Sequence, residues 1–192
     1  MENIKVAIVG ASGYSGEELL RLLFCHPNAS VEVITSRQYA GQPVGTVFPR
    51  FIDQDICFSE PDVKKIAETC DVAFLALPHG LASEFAIPLL ESGVTVIDIS
   101  ADFRLKSPEK YKAYYKEDHP QPELLKTAVY GLPERYREQL KKADLVACAG
   151  CYPTSSILPS APLLAAGLVK TEGIVVSSMS GVSGAGRKVA LD

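Results

Sequence analysis

The run Cys148-Ala149-Gly150-Cys151-Tyr152-Pro153-Thr154-Ser155-Ser156 sets one cysteine between a glycine and a stretch of hydroxyl residues. Thr154 or Ser155 is suited to cap a helix there, which brings Cys151 beside unpaired N–H groups and the positive end of the helix dipole. A helix start favours the thiolate, the form of cysteine that attacks an electrophilic carbon. Cys148 lies in an apolar run and lacks that help. The Cys-x-x-Cys spacing also fits a redox pair, half of a zinc site, or two structural cysteines. No second Cys-x-x-Cys or Cys/His cluster completes a zinc site, so no metal is expected. A redox pair needs a thioredoxin-like setting, whereas this one closes a nucleotide-binding unit.

That unit begins with Val6-Ala7-Ile8-Val9-Gly10-Ala11-Ser12-Gly13-Tyr14-Ser15-Gly16, an apolar run followed by glycines at three-residue spacing and then an amphipathic stretch. The order reads as strand, phosphate loop, helix. Gly10 allows a tight turn, Gly13 lets backbone approach a pyrophosphate, and Gly16 lets the helix pack on the strand. The helix start attracts the dianion. Ser12 stands where the commonest dinucleotide fingerprint has its second glycine, and a glycine turn without a ligand is the competing reading.

The second strand, residues 31–35, ends at Thr35-Ser36-Arg37. An acid about 20 residues past the glycines would take a ribose 2′-hydroxyl, whereas a hydroxyl and a guanidinium suit a 2′-phosphate. Glu32 lies too early to reach over the strand end, so NADP is favoured over NAD, against a merely solvated Arg37. Further on, Pro78-His79-Gly80 stops the apolar run 72–77 and points His79 toward the cofactor crevice, unless it only satisfies the turn. Asp98, Asp102 and Arg104 gather after another strand, either as a buried pair aiming Arg104 at an anionic substrate or as a structural pair. The loop 180–188 carries glycines with Arg187 and Lys188, and suits a nest for a carboxylate or phosphate if it is not a mobile linker. His119 reads as a solvated loop histidine.

Strands are expected at 6–9, 31–35, 56–58, 72–77, 94–98 and 145–148, with helices at 62–69, 81–92, 107–115, 135–142 and 157–168, the last disturbed by Pro159 and Pro162. Residues 39–51 read as a loop, 107–115 as a surface element and 130–134 as a turn. Strands alternating with helices, with 6–9 and 72–77 fully apolar, define an α/β fold, a Rossmann-type parallel sheet covered on both faces. Residues 1–148 make that cofactor domain. Residues 149–192 open an α+β catalytic domain, with 174–179 as a strand.

The 192 residues are 47% hydrophobic and 22% charged with a net charge of −4, which suits a globular protein and gives no electrostatic footprint for nucleic acid. No run approaches the ~18 apolar residues of a membrane span. The start lacks the basic region of a signal peptide, so the expected compartment is the cytoplasm. Five cysteines argue against a disulfide framework, with Cys25, Cys57 and Cys70 read as small buried residues.

Gly10-Ala11-Ser12-Gly13-Tyr14-Ser15-Gly16, Thr35-Ser36-Arg37, Leu77-Pro78-His79-Gly80, Ser100-Ala101-Asp102-Phe103-Arg104, Tyr130-Gly131-Leu132-Pro133-Glu134, Gly150-Cys151-Tyr152-Pro153-Thr154 and the run Ser180-Gly181-Val182-Ser183-Gly184-Ala185-Gly186-Arg187 together resemble the N-acetyl-γ-glutamyl-phosphate reductase family. These are NADP-dependent enzymes of arginine biosynthesis related to aspartate-semialdehyde dehydrogenase. The resemblance covers nearly the whole chain. It implies that Cys151 attacks an acyl phosphate to give a thioester, which NADPH reduces to an aldehyde. It implies cofactor contacts at Gly10, Ser12, Gly13, Tyr14, Ser15, Gly16, Ser36, Arg37, Pro78, His79, Gly80 and Gly184, and substrate contacts at Arg104, Ser183 and Arg187. It also implies a homo-oligomer, a substrate domain continuing past Asp192, and an acid/base histidine in that continuation, which none of His26, His79 and His119 matches. The similar reductase acting on carrier-bound aminoadipate phosphate in lysine synthesis, and a non-catalytic NADP-binding module, are the alternatives.

Overall fold

The computed structural model describes residues 3–187. Its frame is a seven-stranded sheet in the order β3-β2-β1-β4-β5-β7-β6, with every neighbouring pair parallel. In chain order the strands are β1 Ile4–Val9, β2 Ala29–Thr35, β3 Phe58–Ser59, β4 Val72–Leu75, β5 Thr95–Asp98, β6 Val129–Gly131 and β7 Leu145–Cys148. Parallel neighbours need crossover segments, and helices fill them: α1 Tyr14–Leu23, α2 Val44–Val47, α3 Val63–Thr69, α4 Ala82–Glu91, α5 Pro108–Tyr115, α6 Pro122–Thr127 and α7 Pro133–Leu140. The last helix, α8 Cys151–Ala165, has no buried residue.

Side chains alternate across the pleat, so each strand feeds two cores. Ile8 and Ile34 pack with Leu20, Val44, Phe48 and Phe58 on one face. Ala7, Val9, Ala73, Leu75 and Val96 pack with Ile66, Phe85, Leu89 and Tyr111 on the other. Two covered faces explain why residues 6–9 of β1 are an unbroken apolar run, all of it buried.

All strands run one way, so their carboxyl ends share an edge. The chain moves outward from β1 to β3 and returns to β4 beside β1, which opens the crevice of a doubly wound sheet between the ends of β1 and β4.

Several expectations are corrected. Residues 39–51 form α2 and a 3-10 turn, Pro49–Phe51, with Val44, Phe48 and Phe51 buried. The glycines and prolines hid an apolar i, i+4, i+7 stripe. The third strand is Phe58–Ser59, while Cys57 only bridges Pro43. Cys25 and Cys57 are exposed. Residues 129–131 form β6 at the sheet edge, so close that a Cβ on Gly131 would lie 2.8 Å from Cys148 Cα. Helix α5 is not merely a surface element, because Tyr111 is buried in the core. His119 is buried too: Nδ1 accepts the Gln121 N–H at 3.0 Å, Nε2 has no partner among the described residues, and desolvation lowers its pKa.

Residues 174–179 form no strand and are exposed, since a strand exists only against a partner and none lies beside them among the described residues. Helix α8 contains both Pro159 and Pro162 and starts six residues earlier than the expected 157. Each proline forfeits an i→i−4 bond, at the Ser155 and Leu158 carbonyls, and between them the Ser160 hydroxyl donates to the Ser156 carbonyl at 2.6 Å.

Candidate active site

The phosphate loop is built by close backbone contacts. Gly10 has φ +84°, and a Cβ there would lie 2.5 Å from the Ala76 oxygen at the exit of β4. Thr35, at the end of β2, braces the loop: its Oγ1 accepts the Gly10 N–H at 3.2 Å and its carbonyl accepts the Ala11 N–H at 2.9 Å. A Cβ on Gly16 would come within 2.5 Å of Ala11 Cα, so α1 packs directly on the loop. Gly13 differs, since a Cβ there would meet nothing nearer than the Gly10 oxygen at 3.8 Å. Helix α1 has no side-chain cap, and the N–H groups of Tyr14, Ser15 and Gly16 have no partner among the described residues. Open space over Gly13 and three free donors at a helix start fit a pyrophosphate. On the β2 side of the loop Ser12 Oγ and Ser36 Oγ lie 2.9 Å apart, in hydrogen-bond contact, and Arg37 is exposed beyond them.

The exit of β4 carries Pro78, His79 and Gly80. The His79 side chain is turned toward the protein: Nδ1 lies 2.7 Å from Asp102 Oδ1, Nε2 is 3.5 Å from the Tyr111 hydroxyl, and the ring stacks on Tyr115 at 4.3 Å. Asp102 Oδ1 also accepts the Gly80 N–H at 2.8 Å, and Oδ2 the Ala82 N–H at 3.0 Å. No signal in spacing reveals this contact. The available hint is an acid among apolar residues at a strand exit, which must find donors if it is buried.

Neither Asp98 nor Asp102 pairs with Arg104. The Arg104 Nε donates to the Cys148 carbonyl at 2.8 Å and Nη2 to the Ile99 carbonyl at 2.8 Å, bracing the exits of β7 and β5. Its Nη1 lies beside Gly150, where a Cβ would approach it to 3.0 Å. The guanidinium is therefore fixed one residue before Cys151. Asp98 is fully buried with Ser100 N–H and Oγ bonded to it, and burial pushes its carboxyl up to about 6.

Cys151 is the first residue of α8, and Gly150 is the cap, with no side-chain hydrogen bond. Thr154 and Ser155 lie inside the helix instead of capping it; the Ser155 and Ser156 hydroxyls donate to the Tyr152 carbonyl at 3.0 and 2.8 Å. The cysteine is thus nearer the free N–H groups than the capping pattern suggests. It is exposed to a cavity of about 300 Å³ lined by Cys151, Tyr152, Ser155, Ser178, Met179 and Ser180. Cys148 is the opposite case, since burial, with Asp98 adding to it and Arg104 opposing, pushes its thiol up to about 11. Such a thiol does not support a redox pair at neutral pH. Among the described residues no cluster could hold a metal.

Ser183 and Gly184 lie in a 3-10 turn, Val182–Ala185. Arg187 pairs with Glu17 of α1 and stacks on Tyr14 at 4.4 Å, and it is not among the residues lining the Cys151 cavity. Lys188 lies outside the described residues.

A phosphate loop at the switch point of a parallel sheet, with a cysteine at a helix start on the same edge, defines a nucleotide-binding domain of the doubly wound type joined to a cysteine site. Family models agree: the semialdehyde dehydrogenase NAD binding domain matches residues 5–143, and the semialdehyde dehydrogenase dimerisation domain matches residues 151–192. The chain belongs to the semialdehyde dehydrogenase family.

Among its relatives, an N-acetyl-gamma-glutamyl-phosphate reductase of Akkermansia muciniphila is 53% identical, covering 100% of this chain and 56% of its own length. Those of Nitrosococcus oceani and Pseudomonas aeruginosa are 50% and 51% identical, covering 98% and 96% of this chain and 55% and 54% of their own lengths. The chain spans about half the length of the curated relatives it matches. The fold is shared with aspartate semialdehyde dehydrogenase from Candida albicans, solved with NADP (TM-score 0.63, 18% identity, 86% of this chain and 48% of that one). It is shared also with aspartate semialdehyde dehydrogenase II from Vibrio cholerae (TM-score 0.61, 20% identity, 86% of this chain and 47% of that one). Among the described residues no helix is long and apolar enough to cross a membrane.

Proposed function

We propose that this chain belongs to an NADPH-dependent reductase that converts N-acetyl-γ-glutamyl phosphate to the semialdehyde and phosphate, a step of arginine biosynthesis. The observation that carries it is Cys151 at the first position of α8, on the edge that also holds the phosphate loop. The relatives' names supply the substrate.

Residues 1–148 act as the cofactor domain and 149–192 as the opening of the catalytic domain. Gly13 and the N–H groups of Tyr14, Ser15 and Gly16 receive the pyrophosphate; Gly10 shapes the loop; Ser12, Ser36 and Arg37 face the 2′-phosphate and favour NADPH over NADH. Pro78, His79 and Gly80 line the crevice, and Gly184 closes over it. Cys151 attacks the acyl carbon as thiolate, and the C–O bond to phosphate breaks. Arg104 Nη1 holds the anionic substrate beside Gly150, with Ser183 and Arg187 as further anion contacts. Bound NADPH supplies the hydride that converts the thioester carbon to the aldehyde level, after which the C–S bond breaks and Cys151 is a thiolate again.

Association into a homo-oligomer goes with the dimerisation-domain match at 151–192. A cytoplasmic location goes with a mechanism that needs a reduced thiol.

The test is NADPH oxidation by the full-length protein with this acyl phosphate. The wild type turns over, and Cys151→Ser falls by more than a thousandfold, as loss of a covalent nucleophile does. Turnover in Cys151→Ser within tenfold of wild type overturns the reading.

A further inference from the structure

Asp102 is fully buried, yet the nearby cation, Arg104, is not paired with it. A buried carboxylate is costly unless its oxygens are satisfied. Here both are, and every donor comes from the β4 exit: the N–H of Gly80, the N–H of Ala82 and Nδ1 of His79. The donors lie 20 to 23 residues back in the chain, so the carboxylate joins the exit of β5 to the exit of β4. Its own N–H is held by the Ser100 hydroxyl at 3.1 Å. Helix α4 has Leu81 at its cap position with no side-chain bond from its own residues, and Asp102 replaces that cap from outside.

The turn so held is a demanding one. Gly80 has φ +87° although a Cβ there would meet nothing, so its conformation is imposed by the turn and not by crowding. His79 adds a second restraint. Its Nδ1 meets Asp102 Oδ1 at 2.7 Å and its Nε2 faces the Tyr111 hydroxyl at 3.5 Å, while Tyr115 covers the ring. Both tyrosines belong to α5, whose Tyr111 reaches into the core. The turn in turn follows directly on Ala76 and Leu77, the two residues against which Gly10 of the phosphate loop packs. A reversal of chain direction alone needs neither a buried charge nor an imidazole locked from two sides; a turn that must meet a ligand at fixed distance does.

We propose that Asp102 is a positioning residue for the cofactor: with His79 and the α5 tyrosines it fixes the Pro78–Gly80 turn at the mouth of the crevice, so that the turn's backbone meets the nucleotide without rearranging. This rests on the NADPH reading above. His79 acts through Asp102 and does not hand a proton to substrate.

The experiment is a fluorescence titration of full-length protein with NADPH, beside a thermal unfolding scan and the iodoacetamide rate of Cys151. Asp102→Asn leaves one oxygen to accept and turns the other into a donor facing the Ala82 N–H or His79. It is expected to weaken NADPH binding by about tenfold, the loss of one charge-assisted contact network, measured well below the unfolding transition. The Cys151 rate stays within twofold. His79→Ala weakens NADPH about fivefold, and His79→Asn, which restores a donor near the Nδ1 position, recovers most of that loss; this pair decides the matter if Asp102→Asn does not fold. A lowered unfolding temperature with wild-type NADPH affinity in Asp102→Asn and His79→Ala overturns the positioning role and leaves a helix cap. Equal losses in His79→Ala and His79→Asn also overturn it. A wild-type protein that binds no NADPH overturns the cofactor reading and the positioning role together.

Discussion

Replacing each glycine of the phosphate loop by alanine separates glycines that serve the fold from the one that serves the ligand. In Gly10→Ala the side chain must adopt φ +84° and meet the Ala76 oxygen at 2.5 Å. The left-handed backbone costs roughly 1–2 kcal/mol and the overlap with a fixed backbone atom roughly 1–3, so the variant loses about 2–5 kcal/mol. Gly16→Ala meets Ala11 backbone at 2.5 Å without φ strain, and recovers about 1 kcal/mol of helix propensity, so its loss is about 0–2 kcal/mol. Gly13→Ala has only the Gly10 oxygen at 3.8 Å for a neighbour and no positive φ, so its stability stays within about 1 kcal/mol of wild type. Its methyl group, however, occupies the space over the free N–H groups of α1, and NADPH binding weakens at least tenfold, a loss of about 1.4 kcal/mol or more. Urea unfolding and NADPH titration on the same three preparations check both columns. If Gly13→Ala destabilises the protein as much as Gly10→Ala and leaves NADPH affinity unchanged, the assignment of the loop is wrong.

On the proposed reading that Ser36 and Arg37 take the 2′-phosphate, NADPH is expected to bind about 10- to 150-fold more tightly than NADH, the range of one charge-assisted bond, and Arg37→Glu to abolish the difference. Limited alkylation read by mass spectrometry labels Cys151 first, ahead of the exposed Cys25 and Cys57, while Cys148, with its thiol pushed up to about 11, holds roughly one thiolate in 10⁴ at neutral pH and stays unlabelled. Asp98 is raised to about 6, so the folded protein keeps a proton that the unfolded chain gives up near pH 4; its contribution is present below that range and is lost as pH rises toward 6. Wild type therefore loses up to about 3 kcal/mol relative to Asp98→Asn between pH 4 and 7, and parallel stability curves for the two would refute the burial argument.

How far the chain could be read from its sequence differs from segment to segment for physical reasons. The path from β1 through Gly16 was legible because the glycine spacing answers the demands of a phosphate loop: close backbone packing at Gly10 and Gly16 and open space over Gly13. The residues at the strand exits were legible as a group because parallel strands deliver their ends to one edge. The Asp102–His79 contact was not, since it joins residues 23 apart whose meeting depends on the β4–β5 register and on α5 lying over both. His119 was misread for the same reason: nothing local marks an imidazole as buried between Phe103 and Tyr111. At α8 the two prolines suggested a helix starting late, at 157, whereas it starts at Cys151 and carries both prolines inside it. The apolar run 174–179 has a strand's composition without a strand's partner among the described residues.

The central claim is that Cys151 carries the acyl group. Full-length protein mixed with N-acetyl-γ-glutamyl phosphate without NADPH, quenched in acid and digested, is predicted to show the N-acetylglutamyl mass on the peptide bearing Cys151, one equivalent of phosphate released, and loss of the adduct when NADPH is added before quenching. Phosphate release with no adduct on Cys151, or an adduct on another residue that NADPH discharges, would contradict the account.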